Sequence, residues 1–140
     1  MSTAARGTGT DKTPGQLFAL VFGAVYVLIG ILGMFITTSV DETGTLIVFD
    51  VNLIHNIVHF AVGALLLVGS RTAAGAKTVN LIIGVVYLLL ALLGFLEVGF
   101  LVDLLTEINL ADNLLHLVTG SAALYFGTAG AGVGTTTARA

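Results

Sequence analysis

The chain has 140 residues, the length of one domain, yet 56% are hydrophobic, 9% are charged and the mean hydropathy is +1.06. A soluble domain covers its surface with about a quarter of its residues charged, so an ordinary water-soluble globule is excluded. Five Lys+Arg against eight Asp+Glu exclude a basic nucleic-acid-binding face, and the lack of Cys removes disulfides and thiolate chemistry together.

Residues 1–15 are polar, with Arg6, Lys12 and Pro14, and read as a flexible tail ending where Pro opens a helix. Residues 16–36 carry no charge. At 1.5 Å per residue they reach about 30 Å, the thickness of the hydrocarbon core. A signal peptide would have a shorter apolar stretch and a small-residue cleavage site, which Thr37-Thr38-Ser39-Val40 does not supply. Three more apolar spans follow, at about 51–69, 78–97 and 111–127, before a Gly/Thr/Ala tail over 128–140. The expected fold is all-α, an integral membrane four-helix bundle whose membrane domain covers 16–127.

The connections differ in character. In 100–108, Phe100, Leu101, Leu104, Leu105 and Ile108 recur at helical spacing with Asp103 and Glu107 off that face, as in a short helix lying in the membrane interface. Residues 45–49 take the same part in the first connection, although their β-branched run argues against a helix. All the cations, Arg6, Lys12, Arg71, Lys77 and Arg139, fall on one side of a four-span topology, which places both termini in the cytoplasm of an inner-membrane protein. Asp41, Glu42, Asp50, Glu97, Asp103, Glu107 and Asp112 fall on the other side.

Sliding the chain on itself by 61 residues aligns Gly23, Tyr26 and Gly33 with Gly84, Tyr87 and Gly94, and without a gap aligns Asn52, His55 and Ala61 with Asn113, His116 and Ala122. This pattern reads as a duplicated helical hairpin, the two copies inserted in the same sense. It predicts that His55 and His116 share one depth, and that His59, opposite Gly120 in this alignment, packs across the axis against that glycine.

Asn52, His55, Asn56, His59 and Gly63 share one helical face, and Asn113, His116 and Gly120 repeat part of it. Amides and imidazoles cost several kcal/mol in lipid without partners, so these faces must look inward. Three readings of the stripe are open. It is interhelical hydrogen-bonding glue; or His55 and His116 ligate a b-type haem, with Asn52 and Asn113 orienting the imidazoles; or His55, His59 and His116 hold a divalent metal. Glycines of the first and third spans read as helix-packing residues that also suit homo-oligomer contacts. The spans hold no serine or carboxylate dyad, so catalysis is not expected. Proton-coupled transport lacks its membrane carboxylate.

The Asn52-Leu53-Ile54-His55-Asn56-Ile57-Val58-His59 run, the Asn113-Leu114-Leu115-His116 run, and the Gly84-Val85-Val86-Tyr87 element followed by Leu93-Gly94 resemble the domain of unknown function 4383 family. The resemblance covers about Gln16 to Gly127. It implies a small bacterial membrane protein with four spans and brings no activity with it. The function expected from the chain is therefore a structural or accessory one, with the lipid bilayer and a membrane-complex protein or a second copy as partners.

Overall fold

The computed structural model describes residues 11–99 and 109–132. Four helices, α1 (Pro14–Ile36), α2 (Leu53–Gly69), α3 (Ala73–Phe95) and α4 (Leu110–Gly127), form the described body, with a two-stranded hairpin of β1 (Gly44–Leu46) and β2 (Phe49–Val51) between α1 and α2. The interfacial helix expected at 100–108 lies outside the described residues, as do most of both tails.

Each helix starts where a side chain takes up the first free amides. Thr13 and Gln16 make a reciprocal capping box before Pro14, which sits at the first helical position where its missing N–H costs nothing. Asn52 accepts from the His55 amide at 2.9 Å, and Asn109 and Asp112 cap α4 reciprocally. Thr72 accepts from the Gly75 amide, so α3 begins at Ala73 and not at 78. The span expected at 78–97 was bounded by Lys77, a charge that limits burial in lipid but not helix formation. Likewise α1 starts two residues before 16.

Where a helix is expected at 45–49, the chain forms instead the inner strand ends and turn of the β-hairpin, in register Gly44 with Val51, Thr45 with Asp50 and Leu46 with Phe49. Thr45 and Val51, in the strands, are β-branched and favour the pleated backbone. The hairpin is tied to α4 where the Asn109 side-chain amide donates to the Val48 carbonyl at 2.9 Å.

Packing is unequal around the bundle. The α1–α2 and α3–α4 pairs are intimate because glycines let the backbones touch. A Cβ at Gly63 would lie 2.7 Å from the Gly23 carbonyl oxygen, and one at Gly84 would lie 2.8 Å from the Leu124 Cα. Between the pairs, contacts are fewer. They include Phe18 stacked on Phe126 at 4.9 Å and the Asn80 amide donating to the Gly15 carbonyl at 2.9 Å, both at the end that carries the termini. Among the described residues two helices, α1 and α3, are long and apolar enough to cross a membrane, and only 28% and 33% of their apolar windows are buried.

Candidate functional site

The buried polar side chains meet where the two helix pairs face each other. His59 on α2 lies against Tyr26 on α1, ring centroids 5.1 Å apart, and His116 on α4 lies against Tyr87 on α3 at 4.8 Å. The two tyrosines meet edge to face at 5.7 Å, an arrangement that sets a positive ring edge on a negative ring face. Four rings thus cross the interior in the order His59, Tyr26, Tyr87, His116. His55, one turn from His59, stacks on it at 4.4 Å. The Tyr26 hydroxyl donates to Thr119 Oγ1 at 3.2 Å, and the Thr119 hydroxyl donates to the Leu115 carbonyl at 2.6 Å. The three histidines are only 4–5% exposed.

Helical spacing alone brings His55 and His59 together, and the fold adds His116 through the tyrosines. Sequence reasoning did not place Tyr26 and Tyr87 among the site residues. The signal was present, because Tyr26 and Tyr87 fall in the same repeat register as the glycines. Asn52 and Asn113 do not orient the imidazoles. The Asn52 carboxamide caps α2 through the His55 backbone amide. The Asn113 carboxamide lies where a Cβ on Gly94 would be, as the Asn56 carboxamide does at Gly33.

The close approaches in the two helix pairs run in parallel, in a register other than the expected one. Gly23, Val27 and Gly33 on α1 correspond to Gly84, Leu88 and Gly94 on α3 at the expected spacing of 61 residues. Their partners on α2 and α4 are spaced by 57: Asn56 with Asn113, Gly63 with Gly120, Leu67 with Leu124. In this register the histidine equivalent to His116 is His59, whereas His55 matches Asp112, and the two N-cap residues Asn52 and Asn109 correspond. The slip is four residues, about one helical turn, which keeps each side chain on its face and hides from a gapless comparison. The contact expected between His59 and Gly120 is replaced in the same way, since the nearest neighbours of Gly120 are Tyr87 and Leu88 of α3.

A pocket of about 70 Å³ sits under the β-hairpin, lined among others by Leu46, Phe49, Val51, His55, His59 and Asp112. Sites for cofactors run to roughly 300–1,000 Å³, several times this pocket, and His116 is not part of its lining, so the residues do not fit a haem held between His55 and His116 as they are packed. Among the described residues no group of three or more His, Cys, Asp or Glu is placed to hold a metal ion. The Nδ1 atoms of His55, His59 and His116 and the Oδ1 atoms of Asn56, Asn80 and Asn113 are buried without a hydrogen-bond partner. The glycines expected to serve oligomer contacts are engaged within the chain, Gly23, Gly30 and Gly33 against α2, and Gly84 and Gly94 against α4.

Apolar helices paired through glycines around buried imidazoles and carboxamides define a helical bundle with its polar groups inside. The chain matches, over residues 16–129, the family described as Domain of unknown function (DUF4383), and it belongs to that family. No curated protein and no solved structure matches it.

Proposed function

We propose that this chain is a four-span integral membrane protein of the inner membrane, with both termini in the cytoplasm and a structural or accessory role. The observation that carries the reading is the inversion of burial. Leu17, Val25, Leu28, Val58, Leu65, Val86, Leu89, Leu114 and Val118 are 40–66% exposed along all four helices, while Asn56, His59, Asn80, Asn113 and His116 are 0–6% exposed. In water this arrangement forfeits the hydrophobic effect and desolvates amides. In lipid the exposed apolar side chains meet an apolar solvent and the amides and imidazoles are kept out of it. Helices α2 and α4, at 17 and 18 residues, fall within the range that spans a bilayer, about 17–25 residues. The cations Lys12, Arg71 and Lys77 share one end of the described body, and the acids Asp41, Glu42, Asp50, Glu97 and Asp112 share the other, as the positive-inside rule requires. The ring cluster then serves as the contact that registers one helix pair on the other.

The test uses single cysteines in a chain that has none. In intact cells a membrane-impermeant maleimide labels Asp41→Cys, and labels Thr72→Cys only after permeabilisation. The reverse pattern would overturn the orientation, and recovery of the protein in the soluble fraction would overturn the membrane reading itself.

A second reading, in which His55 and His116 hold a ligand or a divalent metal, draws on the partnerless imidazole nitrogens, since buried polar atoms usually find partners. Haemin added to the detergent-purified protein is expected to give no resolved Soret band, and the protein to retain no stoichiometric metal. A Soret band or a bound metal lost in both His55→Ala and His116→Ala would displace the structural role.

A further inference from the structure

At the end that carries the termini, the α1 face beside Phe126 of α4 forms an open groove of about 370 Å³ lined by Pro14, Leu17, Phe18, Val21, Phe22 and Phe126. The five α1 residues fall at i, i+3, i+4, i+7 and i+8, one continuous helical face. Phe18 stacks on Phe22 at 4.3 Å and on Phe126 at 4.9 Å, so the floor of the groove is a fixed aromatic surface. On the membrane reading above, on which this inference rests, the groove lies in the inner-leaflet half and opens toward the acyl chains.

What fills it must be apolar and able to follow an uneven aromatic floor. A helix from a second copy is a poor occupant. Close helix contact needs small residues, and the lining has none, while Gly15, Gly23, Gly30 and Gly33 of α1 are already covered by the chain's own atoms. The groove is also short, running from Pro14 to Phe22, about 12 Å of helix. A flexible acyl chain meets both conditions. Charge at this end of the molecule selects its headgroup. Lys12, two residues before Pro14, is exposed, and among the described residues this end of the molecule carries Lys12, Arg71 and Lys77 against Asp11 alone. We propose that the groove binds one acyl chain of an anionic phospholipid from the inner leaflet, with the headgroup phosphate held at the mouth beside Lys12.

The chain has no Trp, so a single introduced one reports its own surroundings. Val21→Trp places the reporter in the groove, and Ile82→Trp, 61 residues further on, places it at the corresponding point of α3, outside the groove. Each full-length variant is reconstituted into phosphatidylcholine vesicles containing an equal minor fraction of either dibrominated phosphatidylglycerol or dibrominated phosphatidylcholine, and fluorescence quenching is read. The reporter of Val21→Trp is expected to favour the anionic lipid about fivefold, the size one cation near an anionic surface confers. Lys12→Ala should remove that preference, and Ile82→Trp should be quenched equally by both lipids. Equal quenching of the Val21→Trp reporter by the two lipids would overturn the proposal, leaving ordinary boundary lipid there. Quenching of Ile82→Trp alone would also overturn it, by showing the groove covered by protein. If neither reporter were quenched by either lipid, the membrane reading would fail and take the groove's occupant with it.

Discussion

Glycine contacts in this protein fall into two kinds, and the atoms opposite each glycine decide what a methyl group would cost. At Gly84 the added carbon would meet the Leu124 backbone, which cannot yield without parting α3 from α4. At Gly94 it would meet the end of the Asn113 side chain, which can rotate, and at Gly99 it would meet nothing within 4 Å. Overpacking a close contact costs about 1–3 kcal/mol. Gly84→Ala therefore belongs near the upper end of that range, Gly94→Ala near the lower end, and Gly99→Ala near zero, readable as the order of thermal midpoints in detergent. Equal midpoints for Gly84→Ala and Gly99→Ala would show that α3 and α4 do not approach as described. That these glycines face helices was legible from their spacing. Which residue lies opposite each was not, because a slip of one turn leaves the pattern of faces unchanged.

At the level of elements, the turn of the β-hairpin and the end of α3 each hold a residue in a left-handed conformation that the sequence does not advertise. Ile47 has φ 65° and Glu97 has φ 52°. Glu97 closes a Schellman motif, its own amide bonding the Gly94 carbonyl at 3.2 Å and the Val98 amide reaching back to Leu93 at 3.2 Å. Glycine is the usual residue at such a position, and its absence is why neither the turn nor the helix stop could be read beforehand. A left-handed L-residue costs about 1–2 kcal/mol, and glycine returns about 0.5–1 of that as chain entropy. Ile47 is 85% exposed and loses little packing on truncation. Ile47→Gly and Glu97→Gly should each stabilise the protein by about 0.5–1 kcal/mol in thermal unfolding. A loss of stability in both would mean that the two backbones are not left-handed. The helices themselves were legible because charge-free runs mark them. The hairpin was obscured because five residues of mixed apolar and polar character fit a helix and a strand equally well, and β-branching was the only signal that separated them.

Across the whole molecule, one substitution separates a lipid-facing surface from a water-facing one by the sign of its effect. Val25 and Val86 lie near the middle of α1 and α3, 45% and 43% exposed. If that surface met water, Lys would be tolerated there, since its charge would be solvated and the helix has no need of the valine side chain. In lipid the same ammonium sits near the bilayer centre, too far from either interface for its stem to reach water easily. Insertion scales assign such a charge about 2.5–3.5 kcal/mol. Val25→Lys and Val86→Lys should therefore sharply reduce the membrane-inserted fraction on fractionation. Thr128→Lys, at an exposed position beyond the end of α4, should leave that fraction unchanged, because it adds a cation to the side that already carries Lys12, Arg71 and Lys77. Unaltered insertion in all three variants would mean that the exposed apolar belt faces something other than lipid. The inner arrangement would then need a covering protein along both long helices. The buried imidazoles constrain the same choice from within. A bundle that buries His59, Tyr26, Tyr87 and His116 at its centre while exposing valine and leucine fits the apolar surroundings proposed above, where polar groups must find their partners inside.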